Sequence, residues 1–146
     1  MNYISGDLLE QAKNNHFDVI VHGCNCFNTM GAGIAKAVKS EFPEAFEIDQ
    51  KTKKGDREKL GTITIAQHGN LFIVNAYTQY EFSRTKKPFD YEAFHSCLKL
   101  IKGRFSGKRI GMPKIGAGLA GGDWLKIEEI IKKELSGENI TVVVKE

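Results

Sequence analysis

Asp18 to Ala35 reads Asp-Val-Ile-Val-His-Gly-Cys-Asn-Cys-Phe-Asn-Thr-Met-Gly-Ala-Gly-Ile-Ala. Asp18 to His22 holds the apolar, β-branched run Val19-Ile20-Val21, the pattern of a buried strand, and Gly23 ends it. Ile34, Ala35, Val38 and Phe42 then recur at helical spacing over Ala32 to Phe42, with Pro43 as the stop. A strand that passes through a glycine-rich loop into a helix is half of a parallel α/β unit, and the rest of the chain repeats the alternation. Thr62–Ala66 and Leu71–Ala76 are strand candidates separated by a tight turn at 67–70, which predicts an antiparallel hairpin. Asp90 caps a helix carrying Phe94, Leu98 and Ile101 that closes near Gly103. Arg109–Met112 is a short strand halted by Pro113. Asp123 caps a helix with Leu125, Ile127, Ile130, Ile131 and Leu135 on its apolar face, and Gly137 closes it. Ile140–Val144 is the last strand, apolar throughout and so covered on both faces. Strands alternating with helices predict an α/β domain around a largely parallel sheet.

The totals agree with one domain spanning 1–146. Hydrophobic residues are 41% and charged residues 27%, an ordinary globular balance at this length. No apolar run approaches the roughly 20 residues that span a bilayer, which excludes a helical membrane protein. The first residues lack the basic and apolar regions of a secretory leader. An odd number of cysteines, three, argues against a disulfide framework. The expectation is a cytoplasmic monomer with reduced thiols and no membrane partner. A formal net charge of +3 suits an anionic small ligand and falls short of a nucleic-acid signature. Lys51, Lys53, Lys54, Arg57 and Lys59 form one basic cluster and Arg84, Lys86 and Lys87 another; both read as solvated loop charges.

In an open α/β sheet, ligands bind where strands run at their carboxyl ends into helices. Two loops have the composition for that. Gly23–Gly33 follows a strand and opens a helix, so its backbone can approach a phosphate and present free N–H groups. Ile115–Asp123 does the same and holds Gly116, Gly118, Gly121 and Gly122. Two such loops suggest a long anionic ligand held from both sides. Neither is a phosphate-binding Walker loop, because the lysine and hydroxyl residue that should follow the glycines are missing.

These motifs, in this order, resemble those of the macro domains over nearly the whole chain. The resemblance implies a three-layer α/β/α sandwich with a mixed, largely parallel central sheet, and ADP-ribose as ligand. Gly6-Asp7-Leu8 resembles the family's early motif, whose aspartate contacts the adenine amino group; a carboxylate accepts only, as an exocyclic amine requires. Cys24-Asn25 and Met30-Gly31-Ala32-Gly33-Ile34-Ala35 resemble the first ligand loop, whose asparagine reaches the distal ribose. Pro113 to Gly121, with Ile115, Gly116, Ala117, Gly118, Leu119, Ala120 and Gly121, resembles the loop that wraps the diphosphate. Local roles remain open beside these: Asp7 is suited to an N-cap and Asn25 to an Asx-turn.

Three branches of the family come into view: terminal ADP-ribose glycohydrolases, antitoxin domains acting on ADP-ribosylated DNA, and ADP-ribose-1″-phosphate phosphatases. The hydrolases of the first two carry a lysine after the middle strand, where this chain has Gln79, and an amide cannot form a Schiff base. His22-Gly23-Cys24-Asn25-Cys26 is similar to a phosphatase stretch. The resulting expectation is a phosphatase converting ADP-ribose-1″-phosphate to ADP-ribose, with Asp123, His22 and Asn25 around the reacting end. The alternatives are a hydrolase freeing ADP-ribose from modified protein or nucleic acid, and a non-catalytic ADP-ribose reader. Asp123 is either a general base or the N-cap of the last helix; His22 is either an acid–base group or a core histidine. Cys24 and Cys26 form a lone C-x-C, so with Cys97 they read as packing residues, and no metal or cofactor is implied. The aromatic residues that many macro domains stack on the ligand are missing at Ala120 and Val143, leaving Phe27, Tyr77 or Tyr80 to substitute.

Overall fold

The computed structural model describes residues 1–82, 87–118 and 120–145. Its centre is the strand β2 (Val19–Cys24), flanked on one side by β4 (Leu71–Tyr77) and on the other by β5 (Arg109–Met112). The β-branched run makes this strand because both of its faces are covered. Val19 and Val21 point into one helical layer and Ile20 into the other, and all three are buried. Beyond β4 lies β3 (Ile63–His68), and beyond β5 lie β6 (Asn139–Val144) and then β1 (Asn2–Ser5), giving the order β1-β6-β5-β2-β4-β3. All neighbours pair in parallel except β3 with β4, the hairpin that the turn at 67–70 predicts.

Helices α1 (Leu8–Lys13), α2 (Gly33–Glu41) and α3 (Pro43–Gln50) cover one face, where Leu9, Ala12, Val38, Phe42 and Ala45 meet Ile20 and Ile73. Helices α4 (Tyr91–Phe105) and α5 (Trp124–Glu134) cover the other through Phe94, Leu98, Ile101, Ile127 and Ile131. The fold is therefore the three-layer α/β/α sandwich with a mixed, largely parallel sheet. Asp90 and Asp123 cap α4 and α5 as their sequence positions predict, accepting from Ala93 N (2.9 Å) and Leu125 N (3.0 Å). At the amino edge of the sheet, Arg109 grips Asp18 through its Nη2 at 2.9 Å, and the guanidinium holds the Asp18 carboxyl below the usual range.

Four local expectations are corrected. Pro43 does not simply stop α2: it opens α3, because a helix's first turn does not need the N–H that proline lacks. Gly103 lies inside α4, which runs on to Phe105. Leu125 is 70% exposed, outside the apolar stripe assigned to it. The basic cluster at 51–59 is not uniformly solvated, as Lys59 is only 7% exposed. Of the second cluster, Arg84 and Lys86 lie outside the described residues.

This topology makes a site. The chain leaves β2 toward the α1–α3 face and leaves β5 toward the α4–α5 face, although the two strands are neighbours. Their following loops part, and a crevice opens between them at the carboxyl edge of the sheet.

Candidate functional site

A cleft of about 610 Å³ occupies that crevice. The loop after β2 forms one wall with Cys24, Asn25, Gly31, Ala32, Gly33 and Ile34. The loop after β5 forms the other with Ile115, Gly116, Gly118 and Ala120. The two glycine loops singled out in the sequence thus face each other. The segment after β4 adds Thr78, Gln79 and Phe82, and Gly23, Thr29, Ala35, Pro113 and Lys114 complete the lining.

The cleft favours negative charge at one place in particular. Ala32 is the N-cap of α2 and supplies no side-chain hydrogen bond, so the first-turn N–H groups of that helix open onto the cleft uncapped. No acidic residue stands in its first turn. Exposed Lys114 adds a cation on the opposite wall.

The first loop is braced from beneath. Asn25 Oδ1 accepts from Phe27 N at 2.8 Å while its Nδ2 donates to Thr29 Oγ1 at 2.7 Å, which is the Asx-turn geometry. Asn28 sits at φ +58° and accepts from Lys59 Nζ at 2.5 Å, and the same ammonium donates to Cys26 O at 3.0 Å. Deeper still, Tyr77 donates its hydroxyl to the buried Asp49 carboxylate at 2.6 Å. Burial pushes the Asp49 carboxyl up, against the opposing pull of Tyr77 and Lys59. Nothing in the spacing of residues 49, 59 and 77 signals this network; a lysine in a charged loop gives no hint that the chain folds back over it.

The second loop rests on Phe89. Gly116 has φ +76°, and a methyl group there would come within 2.4 Å of the Phe89 ring. Gly122 donates its N–H to Gly116 O at 2.6 Å, which closes the loop on itself.

Several expected site residues stand away from the cleft. His22 is 1% exposed, its Nε2–H donates to Asn75 Oδ1 at 2.6 Å, and it turns toward α3 rather than the opening. The core reading of His22 is the one with support in the geometry. Asp123 lies outside the lining and holds the first turn of α5. Asp7 caps α1 by accepting from Glu10 N at 3.0 Å, and Gly6 N donates to Val144 O at 3.0 Å. Gly6 and Asp7 share the carboxyl edge of the sheet with the cleft without lining it, and Leu8 packs in the core. Met30 is buried with Cys24, Cys26 and Tyr77, while Ala117 and Gly121 shape the second loop without lining the cleft. Leu119 lies outside the described residues. Among the aromatics, Tyr77 is fully buried and Phe27 and Tyr80 pack edge to face at 4.9 Å. The ring presented at the mouth of the cleft is Phe82, 61% exposed, which sequence reasoning missed. The thiols of Cys24, Cys26 and Cys97 are buried, which raises all three, to about 11 for Cys26 and about 12 for Cys97, so they stay protonated and inert.

Burial pulls His22 down to about 4, against an ordinary value near 6.5. The folded chain keeps it neutral while the unfolded chain takes up the proton, so its stabilising effect is complete above pH 6.5 and fades as pH falls toward 4. The expected loss is about 2 kcal/mol by pH 5. Urea unfolding at pH 7 and pH 5 should show that loss in the wild type and a smaller one in His22→Gln. Equal acid sensitivity in both proteins contradicts the burial of a neutral imidazole.

The Macro domain family model matches residues 21–131. A 17.5 kDa protein of Enterobacteria phage T4, encoded in the tk-vs intergenic region, is 35% identical over 98% of this chain and 95% of its own length. The ADP-ribose 1″-phosphate phosphatase of the yeast Meyerozyma guilliermondii is 26% identical over 98% of both chains. The solved macrodomain of Mycobacterium tuberculosis DarG superposes with a TM-score of 0.76 at 22% identity, over 99% of this chain and 95% of that one.

Proposed function

This chain belongs to the Macro domain family, and from that premise we propose that residues 1–146 act as one domain that binds ADP-ribose and removes the phosphate from ADP-ribose-1″-phosphate. One observation carries the reading: a cleft at the sheet's switch point, walled by two glycine loops, into which the uncapped N-terminus of α2 opens. A diphosphate is a compact anion that such backbone donors hold well. Asn25 shapes the wall that on this reading faces the distal ribose, and Phe82 offers a ring among the lining residues. In the reaction water adds to phosphorus, the bond from phosphorus to the C1″ oxygen breaks, and the sugar oxygen leaves as a hydroxyl. The products are ADP-ribose and inorganic phosphate. Lys114, the remaining amide N–H of Gln79 and the backbone N–H groups can donate to the phosphate, so rate enhancement rests on positioning and electrostatic stabilisation.

A second reading, the non-catalytic reader, is favoured by a specific feature: among the described residues no aspartate, glutamate or histidine lines the cleft. Phosphate release from ADP-ribose-1″-phosphate separates the two. The phosphatase reading expects multiple turnovers in the wild type and a loss of about a hundredfold in Asn25→Ala. Asp123→Ala should keep turnover within about threefold while costing about 1 kcal/mol of stability, the usual effect of removing an N-cap. ADP-ribose binding without phosphate release would leave the reader.

A further inference from the structure

Among the described residues Lys59 is the one buried cation. Lysine is seldom buried without a carboxylate partner, yet among the described residues Lys59 takes part in no ion pair. Asp49 feels the charge without bonding to it. The ammonium is met instead by Cys26 O at 3.0 Å, by Asn28 Oδ1 at 2.5 Å and by the Tyr77 ring, whose centroid is 5.2 Å away. A methionine would fill much the same space without the cost of burying a charge. The charge is therefore to be explained by what it holds.

What it holds is the loop after β2. Between Cys24 and Gly33 the chain forms neither helix nor strand. Asn25 and Thr29 line the cleft, whereas Cys26, Phe27 and Asn28 between them do not. Lys59 thus grips the loop from behind, between two lining residues, and is itself absent from the lining. The other end of the grip is fixed to the sheet. Gly61 N donates to Tyr77 O at 2.8 Å, and Lys59 O accepts from Thr62 Oγ1 at 2.6 Å. Asn28 is held at φ +58°, a left-handed backbone that asparagine tolerates. Any movement of this stretch passes straight to the cleft, because Asn25 accepts from Phe27 N and donates to Thr29 Oγ1.

We propose that Lys59 is a positioning residue for the ligand. Without touching the ligand, its ammonium ties the loop after β2 to the sheet and keeps Asn25 and the opening of α2 in the arrangement that binds ADP-ribose. This rests on the ADP-ribose reading of the cleft. A loop already held in its binding arrangement spares the ligand the cost of ordering it. A hydrogen bond from a charged donor holds more firmly than a neutral one, which suits lysine to the task.

The test uses two variants that cut the same tie. Lys59→Met keeps the stem and removes the donor; Asn28→Gly keeps the left-handed backbone and removes the acceptor. ADP-ribose is titrated into the wild type, each variant and the double variant, and amide hydrogen exchange is followed in the free proteins. Affinity should fall about tenfold in Lys59→Met, and the double variant should bind within about threefold of the weaker-binding single one. Exchange should quicken about tenfold at Cys26 and Phe27, whose N–H groups donate to Tyr80 O and Asn25 Oδ1, and stay unchanged at Ile20 and Val74 in the sheet. Losses that multiply in the double variant would show that the two residues act separately and overturn the proposal. Exchange that also rises across the sheet, or a Lys59→Met chain that does not fold, makes the ammonium a support of the whole fold and overturns it too. Unchanged affinity in Lys59→Met beside a wild type that binds removes this proposal and leaves the cleft reading standing. A wild type that binds no ADP-ribose removes both.

Discussion

Gly116→Ala should lower the unfolding free energy by about 3 kcal/mol and reduce ADP-ribose binding with it. Two costs add. The first is the left-handed backbone, φ +76°, which a residue with a Cβ adopts only under strain of about 1 kcal/mol or more. The second is overpacking against Phe89, 2.4 Å away, typically another 1–3 kcal/mol. The ring cannot easily retreat, because Phe89 is buried and packs against Tyr91 at 5.2 Å and Phe94 at 5.5 Å. In a chain of this size the expected fall in Tm is about 10 °C. Gly118→Ala is the control, since a methyl there meets nothing within 4 Å and its φ is not positive. It should leave Tm unchanged. A Gly116→Ala protein as stable as wild type would mean that the second loop does not rest on Phe89 as described.

Ala32→Asp should make the free protein more stable and the liganded one far weaker. The N-cap position prefers aspartate to alanine by about 1 kcal/mol, and Ala32 already has the extended backbone of a cap, at φ −147° and ψ 158°. The same carboxylate would occupy the N–H groups meant for the ligand and repel a diphosphate about 5 Å away. At an effective dielectric near 20 that repulsion is about 3 kcal/mol, or roughly a hundredfold in affinity. Ala32→Asn caps without charge and should lose less, and added salt should narrow the gap between the two variants. Calorimetric titration beside thermal unfolding reads both effects. If Ala32→Asp binds ADP-ribose as well as wild type, the anion does not sit at α2.

The parts of this protein that were legible in the sequence are those where pattern and burial coincide. The run at Val19–Val21 is apolar on both faces because β2 is central, and the glycines of the loops after β2 and β5 mark where the backbone turns sharply or approaches a neighbour. β1 left no such trace. It is an edge strand with all four residues exposed, so Asn2–Ser5 carries no hydrophobic alternation, and only pairing with β6 makes it a strand. Pro43 carried two meanings, and sequence alone favoured the stop over the start. Lys59 shows the limit for the site: its burial comes from contacts 31 and 33 residues away, which no local window contains. His22 and Asp123 are chemically apt residues next to apt loops, but a strand's alternation turns one into the core and a helix's first turn occupies the other.

Binding of ADP-ribose in the cleft is tested most directly by a calorimetric titration of the wild-type protein at about 0.1 M salt. The expected result is one ligand per chain with a dissociation constant on the order of micromolar, and much weaker binding of ribose 5-phosphate, which lacks the diphosphate proposed to sit at α2. No heat from ADP-ribose up to millimolar concentration would contradict it.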